Sequence, residues 1–187
     1  MDAVLLTAIE DAVTTIRNAD VRQLSSPAWL EHEFLPQLGL SDVLPAFYPA
    51  SLRPFCGTGL RSFQQPNQFA RYLSHLSRCK VTSYLEIGVW QGGTFIITVE
   101  YLTRFNEIER AMAVDVSIRE PIQHYARMNS RVSLLEGDSK AAAMRMAVRQ
   151  QWWDLAMIDG DHSEEGCFFR LPARPGCGWD DRPARRL

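Results

Sequence analysis

The stretch Tyr84 to Thr94, Tyr-Leu-Glu-Ile-Gly-Val-Trp-Gln-Gly-Gly-Thr, constrains the fold more than any other in the chain. Val81 to Ile87 is rich in β-branched and aromatic residues and predicts a short buried strand; a glycine-punctuated turn follows, and Thr94 to Leu102 predicts a helix. Strand, glycine turn and helix make a nest of nucleotide size. Gly88 and Gly92 let the backbone curl and let a ligand come close without a Cβ in the way, while the free N–H groups of the helix start favour an electron-rich partner. Glu86 ends the strand facing that crevice, where it repels phosphate but can hold a cationic amino group.

The same alternation then repeats. Ala111 to Val114 predicts a second strand ending at Asp115, Pro121 to Met128 a helix, and Val132 to Leu135 a third strand ending near Gly137-Asp138-Ser139. Ala141 to Gln150 predicts another helix, and Asp154 to Ile158 a fourth strand ending at Asp159-Gly160-Asp161-His162. Strands and helices of these lengths imply an α/β, Rossmann-like parallel sheet with helices on both faces. Right-handed crossovers put every strand's carboxyl end, and with it each of these acidic residues, on one rim.

Upstream, Val4, Leu5, Ala8, Ile9, Ala12, Val13 and Ile16 follow helical spacing over residues 3 to 17 and predict an amphipathic packing helix. From Ser25 to Pro66 prolines interrupt any long element and aromatics are scattered between them, which predicts irregular structure with short helices over the carboxyl edge of the sheet. Ligand crevices of open α/β sheets lie on that edge, so this cover either shapes a substrate pocket or simply packs. Gln68 to Arg78 predicts a helix with Phe69, Tyr72, Leu73 and Leu76 inward and His75 outside the chemistry. The organisation expected is a cover over 1–66, a Rossmann-like core over 67–165 and an irregular tail over 166–187.

With 187 residues, 46% of them hydrophobic, the chain can bury one sizeable core. A net charge of −2 supplies no basic field to steer it to nucleic acid or an anionic membrane, so neither is an expected partner. Cys56, Cys79, Cys167 and Cys177 lack metal-binding spacing and suggest reduced thiols. Asp2, Glu10 and Asp11 stand where a signal peptide needs positive charge, and no apolar run is long enough to span a bilayer. A cytoplasmic location is expected.

The rim residues carry the chemistry. Asp115 is placed to accept both hydroxyls of an adenosine ribose or to cap the turn behind it. Asp138 and Ser139 suit an adenine amine and ring nitrogen, or the N-cap of the next helix. Asp159, Asp161 and His162 form a dense ionisable cluster suited to a divalent cation, to a general base, or to a solvated turn. A nicotinamide fingerprint needs glycine two residues after Gly88, where Trp90 stands instead.

The pattern Glu-x-Gly-x-x-x-Gly at Glu86, Gly88 and Gly92 resembles the first motif of class I S-adenosylmethionine-dependent methyltransferases. Roughly Gly59 to Glu165 is similar to the small group of cephalosporin-hydroxylase-like and rhamnosyl O-methyltransferase-like proteins. The phrases at 84–94 and Met-Ile-Asp-Gly-Asp-His-Ser at 157–163 carry most of that likeness, with Gly59-Leu60-Arg61 and Gln65-Pro66 adding to it. The resemblance implies S-adenosylmethionine as methyl donor, bound by Glu86, Gly88 and Gly92 beside its methionine part, by Asp115 at the ribose and by Asp138 and Ser139 at the adenine, with Gln91 and Ser117 also expected among the cofactor-binding residues. It implies Asp159 and His162 as catalytic residues, magnesium on Asp159 and Asp161, and methylation of a small-molecule hydroxyl of a sugar or natural product. The alternative expectation is an inactive remnant that keeps nucleoside binding or an interaction role.

That likeness stops after Glu165. Residues 170 to 187 hold five arginines, three prolines and two glycines and no valine or isoleucine, a composition that resists helix and strand alike. Arginine supplies 18 of the 20 basic residues, as a GC-rich gene would. The expectation is a truncated or out-of-frame tail, a sheet lacking its last strands, and low solubility or homo-oligomerisation through the edges left open.

Overall fold

The computed structural model describes residues 3–160, so the tail, Asp161, His162 and any strands after the fourth lie outside the described residues. In chain order the principal elements are α1 (Ala3–Asn18), α2 (Pro66–Leu76), β1 (Ser83–Ile87), α3 (Gly93–Thr103), β2 (Arg110–Asp115), α4 (Glu120–Met128), β3 (Val132–Glu136), α5 (Ala142–Arg149) and β4 (Leu155–Ile158). Between α1 and α2 the chain makes short helical turns from Val21 to Phe55, as the prolines there dictate.

The strands form one sheet in the order β3-β2-β1-β4 with every pairing parallel. From β1 the chain steps outward to β2 and β3, then crosses back to lay β4 on the other side of β1. Such a reversal opens a crevice at the strands' carboxyl ends, and here it lies between β1 and β4. Ile87 pairs with both Val114 and Ile158, so three strand tips end level around it.

Both faces of the sheet are covered. On one, Tyr84, Ala111 and Ala113 pack with Phe69 and Leu73 of α2, Phe95 and Val99 of α3, and Ile122 and Tyr125 of α4. On the other, Leu85, Ile87 and Val114 pack under Met144 and Val148 of α5. All five residues of β1 are buried, which is why Tyr84 to Ile87 reads as an apolar run broken only by Glu86. Each large side chain removed from water in this way contributes about 1.5–3 kcal/mol before the entropy of ordering it is subtracted.

The N-terminal cover is continuous with this core. Ile9, Ile16, Leu24, Leu30, Phe34 and Leu60 belong to the same apolar cluster as the first face of the sheet. Helix α3, sandwiched between the sheet and α1, is buried from Gly93 to Leu102 and apolar nearly all round. Its one carboxylate, Glu100, accepts two hydrogen bonds from Arg17 of α1, at 2.7 and 2.8 Å, and one from the Tyr125 hydroxyl of α4 at 2.7 Å. That network joins three helices around a charge that burial would otherwise penalise.

Candidate active site

The turn after β1 is tight and left-handed at three places. Gly88 has φ +87°, Gly92 has φ +88°, and Trp90, which carries a side chain, has φ +48°. The curl expected of the glycines is present, and on the side where a Cβ would stand each is packed against protein. A Cβ on Gly88 would lie 2.5 Å from both Cα and N of Gly160, and one on Gly92 would lie 2.8 Å from Cδ1 of Ile122. These glycines let the turn close onto β4 and α4.

Asp115 holds that turn in place. Its Oδ2 accepts the backbone N–H groups of Val89 and Trp90, each at 2.8 Å, and its Oδ1 accepts the Ser117 N–H at 3.1 Å. A left-handed non-glycine residue costs about 1–2 kcal/mol, and the carboxylate is the partner that fixes Trp90 in that conformation. Asp115 therefore caps the loop, and it lines a cavity beside that loop as well.

Two cavities meet at this turn. One, of about 480 Å³, runs along the β2 and β3 tips and is lined by Asp115, Val116, Gly137, Asp138, Ser139 and Lys140. The other, of about 380 Å³, lies under the N-terminal cover and is lined by Val43, Arg61, Phe63, Glu86, Gly93 and Thr94. Gly88, Trp90 and Asp159 line both. The Pro-rich cover thus forms a wall of the site: Phe47 stacks on Phe63 at 5.6 Å, and Phe63 meets Trp90 edge-on at 5.8 Å.

Glu86 is 1% exposed. Burial pushes its pKa up to about 8, the Tyr84 hydroxyl opposes that shift by donating to Oε2 at 2.5 Å, and the neighbouring Asp159 charge adds to it. Tyr84 stands two residues away on the same face of β1, as strand periodicity requires. Without a cationic partner Glu86 keeps its proton near neutral pH. A cation entering the cavity would draw it into the ionised form.

Asp159, at the tip of β4, accepts the Gln64 side-chain N–H at 2.6 Å, a contact that spans the cover and the sheet. Asp138 makes a local turn, accepting the Lys140 N–H at 2.8 Å, and the N-cap of α5 is Ala141, so neither Asp138 nor Ser139 caps that helix. Gln91, Gly92 and Ser117 line neither cavity. Asp161 and His162 lie outside the described residues, and among the described residues no three His, Cys, Asp or Glu side chains gather as metal ligands. The magnesium expectation therefore has no support here.

Gln64, Thr94 and Tyr84 were not legible as site residues. Only Tyr84 had a usable signal, its position two residues before Glu86 in a strand. Thr94 reaches the site locally, from the first turn of the helix after the glycine turn, whereas Gln64 joins it through packing with Asp159, 95 residues away.

Residues 85–173 match the family model of a methyltransferase domain. The match covers a little under half of the chain, begins inside β1 and takes in the three later strands. Together with the all-parallel Rossmann-like sheet it supports a methyltransferase domain and a transferase activity. No curated protein matches the chain in sequence. No helix of the described residues is long and apolar enough to cross a membrane.

Proposed function

We propose that the protein is an S-adenosylmethionine-dependent methyltransferase that methylates a hydroxyl of a small molecule, a sugar or natural product, in the manner of the cephalosporin-hydroxylase-like and rhamnosyl O-methyltransferase-like group. One observation carries the reading: a cavity lined by Asp115, Asp138 and Ser139 adjoins one lined by Glu86, the two sharing Gly88, Trp90 and Asp159 as walls. The donor set fits that ligand. Carboxylate and hydroxyl acceptors suit ribose hydroxyls and an adenine amine on one side, and the buried Glu86 suits an ammonium on the other.

When bound, S-adenosylmethionine supplies an electrophilic methyl group on a sulfonium. The chain's own residues bind and align. Asp115 would take a ribose hydroxyl, and Asp138 and Ser139 would face the base. Glu86 would pair with the amino group. Asp159, held by Gln64 where the cavities adjoin, would orient the acceptor hydroxyl and take its proton as the methyl group passes to oxygen and its bond to sulfur breaks, leaving a neutral thioether. Most of the acceleration in such a displacement comes from alignment, and the aromatic wall of Phe63 and Trp90 would confine the acceptor and exclude water.

Calorimetry of the full chain with S-adenosylhomocysteine tests the reading. Saturable one-to-one binding that is lost in Asp115→Ala is expected; no binding, or tight binding of NADH instead, sinks it. Incubation of metabolite extracts with labelled methyl donor then identifies the acceptor.

A further inference from the structure

A third and larger cavity, of about 780 Å³, lies between the N-terminal cover and the start of α2, with Phe47, Tyr48, Arg53, Gln65, Asn67 and Gln68 among its walls. No carboxylate lines it, whereas Glu86, Asp115, Asp138 and Asp159 line the two cavities at the strand tips. Its one charged wall is Arg53. That side chain is exposed, and no ion pair or side-chain hydrogen bond engages it among the described residues.

One short segment ties this cavity to the active site. Phe47 lines it, is 45% exposed, and stacks on Phe63 at 5.6 Å with the ring planes 12° apart. Phe63 in turn lines the Glu86 cavity and meets Trp90 there. The next two residues divide in the same way: the Gln64 amide donates to Asp159 at 2.6 Å, and the Gln65 amide donates to the Phe47 carbonyl at 2.5 Å. Pro66 then opens α2 with its φ already fixed for a helix. Residues 63 to 66 thus hold the Phe47 ring at a set offset from the carboxylate assigned to the acceptor hydroxyl.

We propose that this cavity binds the far end of the acceptor, a sugar ring that carries a carboxylate, while the reacting hydroxyl at the near end lies at Asp159. The substrate class is then an acidic glycoside, and the proposal rests on the methyltransferase reading above. Phe47 offers a flat apolar surface to the face of a sugar ring, and the Asn67 and Gln68 amides offer both donors and acceptors to the hydroxyls around its edge. Arg53 presents paired N–H donors that match two carboxylate oxygens. A phosphate dianion would call for a second cation, and the walls hold one. Phe47 and Arg53 are specificity residues here, since they contact the acceptor away from the reacting atoms.

The test compares phenyl glucuronide with phenyl glucoside, which has a hydroxymethyl group where the first has a carboxylate. By calorimetry on the full chain saturated with S-adenosylhomocysteine, the unaltered protein should bind the glucuronide more tightly. Arg53→Met should weaken the glucuronide about fivefold and leave the glucoside within about twofold, and Arg53→Lys should recover part of the loss. Phe47→Ala should weaken both glycosides about fivefold. Unchanged S-adenosylhomocysteine binding reports that each variant is folded. Equal affinity of the unaltered protein for the two glycosides, no binding of either, or equal losses of both in Arg53→Met would overturn the assignment while leaving the donor reading intact. Failure of the unaltered protein to bind S-adenosylhomocysteine would overturn both.

Discussion

The Asp115 carboxylate and the Trp90 backbone N–H are joined at 2.8 Å across the gap between the β2 and β1 tips, and the same oxygen takes the Val89 N–H at the same distance. A residue expected at a ribose is therefore first a fastener of the loop that forms the site. Binding and loop geometry share one side chain.

Replacing Asp115 by alanine should for that reason lower stability as well as ligand binding. Two loop N–H groups lose a charged acceptor, at a cost of about 1–3 kcal/mol, and Trp90 is released from its left-handed conformation. Asp115→Asn keeps an oxygen for the loop but turns an N–H₂ toward the Ser117 N–H, so it should fall between the two. Urea denaturation of the three proteins checks the order; an alanine variant as stable as the parent would refute the fastening role.

Glu86 sets a pH dependence with a definite sign. Its pKa is about 8 in the folded chain against an ordinary 4.5, so between those values the native state keeps a proton that the unfolded state has lost. Stability conferred by the protonated form is complete below about pH 4.5, falls as pH rises through the window, and levels off above pH 8, a change on the order of a few kcal/mol. Glu86→Gln should flatten this part of the profile in melts taken from pH 5 to 9. Binding of a cationic amine has the opposite trend, strengthening toward pH 8 with release of a proton, and calorimetry in buffers of different ionisation enthalpy detects that release.

The two turn glycines should differ in tolerance. At Gly88 an added Cβ meets the backbone of Gly160, which cannot step aside without moving β4; at Gly92 it meets the Ile122 side chain, Cδ1 at 2.8 Å and Cβ at 3.0 Å. Both substitutions also force alanine into positive φ, worth about 1 kcal/mol or more. Gly88→Ala should therefore destabilise more than Gly92→Ala, and adding Ile122→Val should recover part of the second loss but none of the first. A double-mutant cycle by chemical denaturation measures this coupling.

Removing Arg17 should hurt more than removing its pair as a whole. Glu100 is 1% exposed and would be left with the Tyr125 hydroxyl as its donor, whereas the Arg17 side chain is half exposed. Arg17→Met should cost roughly 2–4 kcal/mol, the outer exposure of Arg17 keeping it below a fully enclosed pair. Adding Glu100→Gln should restore much of that loss, since the uncompensated charge goes with it. Equilibrium unfolding of single and double variants decides the matter: a double variant no better than Arg17→Met would show that the charge was not the cost.

The amino-acid sequence by itself determined the alternation of strands and helices, the parallel sheet, and the gathering of Glu86, Asp115, Asp138 and Asp159 on one rim. These follow from local periodicity and from the fixed hand of the crossovers, which act over a few tens of residues and leave their mark in the text of the chain. Only the tertiary structure decided which atoms meet. That Gly88 makes room for Gly160, that Gln64 reaches Asp159, and that Arg61 shares a cavity with Glu86 are contacts between segments 25 to 95 residues apart. Such contacts depend on how the cover and the β4 tip pack against the first turn, a matter of volume and close approach that no spacing rule encodes.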